Sequence, residues 1–227
     1  MRKIALTLVS IFCLTAVINA QSKAVDDGKP AGFVYFEDNF NWITADWGTS
    51  DYIGGDYEGT ETRMDLVAAN YKPIIKASGW TSSMRYTYLR LGYIKMSRLK
   101  DGSDLISPKL KAFSNSEFPM LPNRVGIEDG KTVNITVSFD ATAYRGVRGN
   151  RDLDDIVVEV LDAGTFDGKE ETEKVIKIGS WNKWKNISVT VYGATSETQI
   201  RIRAAQTVST GKPSRFFIDN FKVEKAK

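Results

Sequence analysis

The sequence of 227 residues contains no histidine. Without an imidazole there is no Ser-His-Asp or Cys-His hydrolysis, no histidine general base and no His-ligated zinc. Cysteine occurs once, as Cys13, inside an apolar N-terminal run. If that run is removed, the remaining chain has neither a disulfide nor a thiolate nucleophile. There is no Gly-rich phosphate loop ending in Gly-Lys-Ser/Thr and no Gly-x-Ser-x-Gly elbow, so two common enzyme signatures are missing. Beyond the N-terminus no stretch approaches the roughly 20 apolar residues of a membrane span.

The N-terminus has the form of a secretory signal. Met1-Arg2-Lys3 is a short positive region, Ile4 to Ile18 is almost uninterrupted apolar sequence, and Ala20 supplies a small residue before Gln21-Ser22-Lys23. This arrangement predicts a signal peptide over 1–20, cleaved after Ala20, and hence an exported protein in the periplasm, at the cell surface or secreted. The bulky Phe12 before Cys13 argues against a lipid-modified cysteine. Without Arg2 and Lys3 the 31 basic residues fall to 29 against 28 acidic ones, a net charge of +1. A balance so close to neutral offers no electrostatic footprint for nucleic acid.

After a polar segment over 21–32, containing Asp26-Asp27-Gly28-Lys29-Pro30 and expected to be a flexible tail, the period of the sequence is two. Val133, Ile135, Val137 and Phe139 alternate with Thr132, Asn134, Thr136 and Ser138, and Ile187, Val189 and Val191 alternate with Ser188 and Thr190. Gln199 to Arg203 repeats the pattern with arginines on the wet side. Such alternation marks half-buried strands. Further strands are expected at Phe33–Glu37, Arg63–Ala68, Met84–Leu91, Ile156–Leu161, Lys174–Ile178 and Arg215–Val223.

About nine strands separated by Gly, Asn and Asp turns, with no helical stripe, predict an all-β chain folded as a single antiparallel β-sandwich of the jelly-roll kind over 33–227. The stretch from Asn115 to Asp129 holds Pro119 and Pro122 but is also apolar, and reads as a long crossover inside one domain.

Aromatic residues are unevenly placed. Nine of the Trp and Tyr residues fall between Trp42 and Tyr93, several of them in Gly- and Asp-rich sequence such as Thr49 to Tyr57. Flat aromatic faces suit sugar rings, whose axial C–H groups form an apolar patch, while nearby polar side chains bond the hydroxyls. Trp47, Tyr52 and Tyr57 are the candidate platform, with Arg145 and Arg148 as candidate hydroxyl ligands. Trp42, Trp80, Tyr86 and Tyr88 suit the core and its ends better. Arg145, Arg148 and Arg151 also stand beside Asp152, Asp154 and Asp155, the composition of a mixed-sign solvated loop.

Several short motifs occur in a fixed order. Phe36-Glu37-Asp38-Asn39-Phe40 stands near the start and Phe216-Phe217-Ile218-Asp219-Asn220-Phe221 near the end. Between them come Leu89-Arg90-Leu91-Gly92, Leu105-Ile106-Ser107-Pro108-Lys109-Leu110, Val137-Ser138-Phe139, Trp184 and Gly193-Ala194-Thr195. In this order the chain resembles the jelly-roll, galactose-binding-like modules of secreted bacterial carbohydrate-binding and adhesin proteins. The resemblance implies a sandwich whose first and last strands lie together. It also implies a structural calcium held by Glu37 and Asp219, since a hard cation needs six to eight oxygens.

Three readings of function follow. The first is an exported, non-catalytic sandwich whose partner is a polysaccharide or surface glycan. The second is a structural or adhesive module that binds a protein partner at the cell surface. The third is a polysaccharide-active enzyme working through carboxylates, for which no motif speaks.

Overall fold

A computed structural model of the chain describes residues 25–44, 62–67, 69, 71–97, 102–146, 148–205 and 212–227. The strands, in chain order, are β1 (Val34–Asp38), β2 (Thr62–Arg63), β3 (Thr87–Arg90), β4 (Tyr93–Met96), β5 (Asp104–Ile106), β6 (Val133–Ala143), β7 (Asp155–Leu161), β8 (Glu173–Lys177), β9 (Lys185–Ala194), β10 (Gln199–Ala204) and β11 (Phe216–Lys225). They form two antiparallel sheets. One runs β2-β3-β4-β11-β6-β9 with β1 also on β11, and the other runs β5-β10-β7-β8. The expected all-β sandwich is therefore what the chain adopts, and its first and last strands are hydrogen-bonded to each other.

Alternation decides which sheet face is dry. Val133, Ile135, Val137 and Phe139 of β6 and Ile187, Val189 and Val191 of β9 are buried, as are Ile156, Val158 and Val160 of β7 and Ile200 and Ile202 of β10. These inner faces pack against one another as in other sandwiches. Asn134, Thr136, Ser138 and Asp140 of β6 and Asn186, Ser188 and Thr190 of β9 are left on the outer face of the larger sheet. The Asn115–Asp129 stretch does link the two sheets, leading from β5 to β6, and it contributes Leu121 and Ile127 to the core.

The last strand breaks its own alternation. Phe216 and Ile218 are buried, then Phe221 and Val223, so one extra residue lies between the two pairs. The β11–β6 register shifts between Asp219 and Lys222 accordingly, and Asn220 adopts φ 50°. This is a β-bulge, which re-aims side chains locally. Its effect is to put Asp219 and Asn220 in succession outside the core.

A buried carboxylate ties the first strand to the core aromatics. Asp38 accepts hydrogen bonds from the Phe40 N–H at 2.8 Å, Trp42 Nε1 at 2.9 Å and Trp80 Nε1 at 2.8 Å. Burial pushes its pKa up, while these donors and the Arg124 charge work against that rise. Around it Trp80 meets Phe40 and Phe221 with ring centroids 5.1 and 5.0 Å away.

Three local expectations are corrected. Arg63–Ala68 is not a strand: only Thr62–Arg63 pair, and Met64–Leu66 turn as a 3-10 helix while the Arg63 side chain folds back onto Asp65 at 2.9 Å. One short helix, α1 (Lys72–Ser78), was not foreseen; Pro73 starts it and Gly79, at φ 76°, ends it in a left-handed cap. The described part of the expected flexible tail, from Val25 to Gly32, is tied down. Lys225 Nζ lies 2.6 Å from Asp26 and 2.9 Å from Asp27, Tyr35 donates to Asp27 at 2.6 Å, and Thr132 N–H bonds the Val25 carbonyl.

Candidate functional site

The outer face of the seven-stranded sheet is the surface with the most chemistry. Because successive side chains alternate, each antiparallel register pair places two outward residues side by side. One row runs Glu37, Lys222, Ser138, Ser188 across β1, β11, β6 and β9. The next runs Asp219, Asp140, Asn186. A third contains Lys95, Phe217 and Thr142, with Trp184 immediately before β9.

Residues of the first and third rows, with Asn186 of the second, line two depressions on this face, while Asp140 and Asp219 line neither. The larger is a groove of about 610 Å³ whose walls include Glu37, Asn39, Ser138, Asn186, Ser188 and Lys222. Most of its lining residues carry amide, hydroxyl or charged side chains, Pro122 and Phe221 being the exceptions, and Lys222 is paired to Glu224 at 2.8 Å. The smaller, about 230 Å³, is lined by Tyr93, Thr142, Asn182, Trp184 and Phe217. There Tyr93 meets Trp184 edge-on at 5.9 Å and Phe217 edge-on at 5.8 Å, and Trp184 keeps 46% of its surface exposed. A tryptophan at the tip of a strand would gain by burying that area, and here it stays at the surface.

Between the two lies a carboxylate pair. Asp140 accepts hydrogen bonds from Asn186 Nδ2 at 3.0 Å and Asn220 Nδ2 at 2.9 Å. Asp219 accepts the Asn220 N–H at 2.7 Å. Burial raises the Asp219 pKa and the neighbouring Asp140 charge adds to the rise, against the lowering effect of the Asn220 N–H.

The residues singled out from sequence are placed as follows. Trp47, Tyr52 and Tyr57 lie outside the described residues. Arg145 and Arg148 are exposed in a hairpin closed by the Arg145–Arg151 bridge. Arg145 is next to the aromatic groove through Asn182, which accepts from its N–H at 3.0 Å and donates to its carbonyl at 2.9 Å. Of the mixed-sign loop, Arg151 stacks over Trp181 at 4.5 Å and Asp152 binds Arg215 at 2.7 Å.

Glu37 lines the polar groove, but the calcium pair does not converge. Glu37 is opposite Lys222, three positions along β11 from Asp219 or roughly 10 Å of strand. Asp219 is opposite Asp140. Among the described residues no group of three or more acidic side chains is arranged to hold a metal ion.

Sequence reading missed Trp184 as a surface aromatic and Phe217 as a ring of the outer face, where it is buried against Tyr93 and Tyr144. The signal was available: Trp184 shares the parity of Asn186 and Ser188, the wet side of β9, and Phe217 sits between the apolar positions Phe216 and Ile218.

Among the described residues no helix is long and apolar enough to cross a membrane. No protein-family model matches the chain, and no curated protein matches it. Several solved structures are similar. A family 61 carbohydrate-binding module in complex with β-1,4-galactotriose is 12% identical, with a TM-score of 0.37 over 66% of this chain and 93% of that one. The xylan-binding CBM22-1 domain of Paenibacillus barcinonensis Xyn10C is 9% identical, with a TM-score of 0.35 over 88% and 98%. The K3 cleaved adhesin domain of Lys-gingipain from Porphyromonas gingivalis is 8% identical, with a TM-score of 0.37 over 65% and 93%. At such identities and TM-scores these likenesses carry no argument about ligand or activity. The chain's own sheet face has to carry it.

Proposed function

We propose that this is an exported, non-catalytic module that binds a glycan along the outer face of its seven-stranded sheet. The observation that carries the reading is the presence of two grooves on one face, one lined mostly by amides, hydroxyls and charged groups and the other by the Tyr93–Trp184–Phe217 rings. A sugar chain presents these two chemistries in alternation: hydroxyls around the ring edge and an apolar C–H face for stacking. Export rests on the N-terminal signal pattern of Met1 to Ala20.

A glycan array and affinity electrophoresis through polysaccharide gels test the reading, with Trp184→Ala beside the wild type. Binding by the wild type that falls several-fold in Trp184→Ala, with Tm nearly unchanged, supports it. Absence of any glycan binding by the wild type overturns it and leaves the adhesive, protein-binding reading in its place.

A further inference from the structure

One row of side chains on β9 carries an exposed ring at each end. Trp184, Asn186, Ser188, Thr190 and Tyr192 share one parity on the wet side of the strand, and Trp184 and Tyr192 keep 46% and 42% of their surface exposed. At about 3.3 Å per residue the two rings stand roughly 26 Å apart along the strand. Tyr192 lines a third depression, about 360 Å³, together with Asn134, Thr136, Thr190 and Glu224. Thr136 and Glu224 also line the polar groove, so the two depressions are contiguous. At its other end the polar groove reaches Asn186, two residues from Trp184.

Between the rings, β9 and β6 offer uncharged groups. Thr190 is opposite Thr136 and Ser188 is opposite Ser138, and all four line these depressions. Each hydroxyl can both donate and accept, as sugar hydroxyls do. Asn186 spends one amide hydrogen on Asp140 and Asn134 accepts the Gly193 N–H, which leaves each amide further capacity.

Both rings are placed by their surroundings. The Tyr192 N–H and carbonyl are bonded to Thr165 at 2.8 and 2.9 Å, and Gly193, at φ 73°, turns the strand immediately after it. Gly168 comes so near that a Cβ there would stand 3.8 Å from the Tyr192 side chain. Trp184 meets Tyr93 edge-on, and Lys183 before it donates its N–H to Thr142 Oγ1 at 2.9 Å. Groups fixed beforehand lose little freedom on binding.

We infer that Tyr192 is a second stacking platform, and that the glycan lies along β9 from Trp184 to Tyr192 as an uncharged, extended chain of several sugar rings. The inference rests on the glycan-binding reading and adds a direction, a minimum length and a second platform to it. A chain held at both ends gains because its second contact is intramolecular. A disaccharide is too short to reach both rings.

Calorimetric titration with neutral β-1,4-linked dimers and hexamers of glucose, xylose and galactose is the test. At least one hexamer is expected to bind the wild type several-fold tighter than its dimer, with little change between low and high salt. Tyr192→Ala and Trp184→Ala should each weaken that hexamer several-fold, the size of one stacked ring, while Tyr192→Phe keeps wild-type affinity. Tm reports whether the variants fold. Ser188→Trp is the second probe: it fills the path between the rings, leaves both in place and should remove the advantage of the hexamer over the dimer. Hexamer binding that Tyr192→Ala leaves unchanged overturns the inference but leaves glycan binding standing. So does a dimer that binds as tightly as its hexamer, or retention on the array or in polysaccharide gels with none of the hexamers bound. Absence of binding to array, gels and every oligomer overturns both readings at once.

Discussion

Trp80 donates its indole N–H to Asp38 across 42 positions of sequence, 2.8 Å from nitrogen to oxygen and fully inside the sandwich. The bond joins β1 to the segment that follows α1, and the ring fills space against Phe36, Phe40 and Phe221. A buried carboxylate is costly unless its oxygens are satisfied, and three donors meet that need here.

Truncating the ring removes both packing and donor. Trp80→Ala is expected to cost on the order of 3–5 kcal/mol. Trp80→Phe keeps most of the volume and isolates the lost donor, with an expected cost of about 1–3 kcal/mol. Urea melts of the two variants check the ordering. A Phe variant as stable as the wild type would mean the hydrogen bond adds nothing beyond packing.

Two acids give opposite pH signatures. Burial would raise the Asp27 pKa, but hydrogen bonds from Tyr35 and Lys225 hold it below its ordinary value of 3.8. A depressed acid contributes stability above its unfolded pKa that is lost as pH falls through the lower native one. Asp38, raised by burial above 3.8, does the reverse: stability falls as pH rises from 3.8 through its higher native pKa. Asp27→Asn should therefore be less stable than the wild type near neutrality and lose that deficit progressively as pH falls from 3.8 through the lower native pKa, beneath which both side chains are neutral. A deficit that persists unchanged into strong acid would show that the strap depends on shape and not on charge.

The outer-face pattern was partly legible in the sequence and partly hidden by the bulge. Alternation along Val133–Phe139 and Ile187–Val191 identified the sandwich, because two-sided strands must sort apolar from polar residues by parity. The same parity, continued to Asn186 and Trp184, places both on the wet side. The spacing of Phe216, Ile218, Phe221 and Val223 signals one extra residue, yet strict alternation read through it, and Asp219 was assigned to a metal. Strands β4 and β5 escaped because buried neighbours on both faces erase the period, as in Ile94-Lys95-Met96, all buried. Helix α1 escaped because seven residues are too few for a stripe. The aromatic platform over Trp47 to Tyr57 was inferred from composition alone, and it lies outside the described residues.

Asn220 is the residue the bulge requires. At φ 50° asparagine is tolerated and a β-branched residue is not. Asn220→Val should destabilise by about 1–3 kcal/mol, and Asn220→Gly by less, since glycine accepts the backbone but leaves Asp140 one donor short. Thermal melts of both variants decide. Equal losses would assign the cost to the Asp140 bond and not to the backbone.

Metal removal should leave the fold unmoved, because Glu37 faces Lys222 and Asp219 faces Asp140. Melting in EDTA and in added calcium is expected to give one Tm. A drop in EDTA that calcium reverses, and that Asp219→Ala abolishes, would put calcium on these carboxylates after all, since a ligand bound only by the native state raises Tm by mass action.

The strap from Val25 to Gly32 fixes where both described ends emerge. Val25 accepts from Thr132 N–H while Ala226 N–H bonds the Asn134 carbonyl, so the two ends sit side by side at the start of β6. Adjacent ends are what circular permutation needs. A short linker from Lys227 to Val25 would close the chain, and new termini could be cut in the hairpin around Arg148, beside the aromatic groove. The sandwich can therefore be re-threaded without disturbing either sheet, and a reporter could be carried at the rim of the outer face itself.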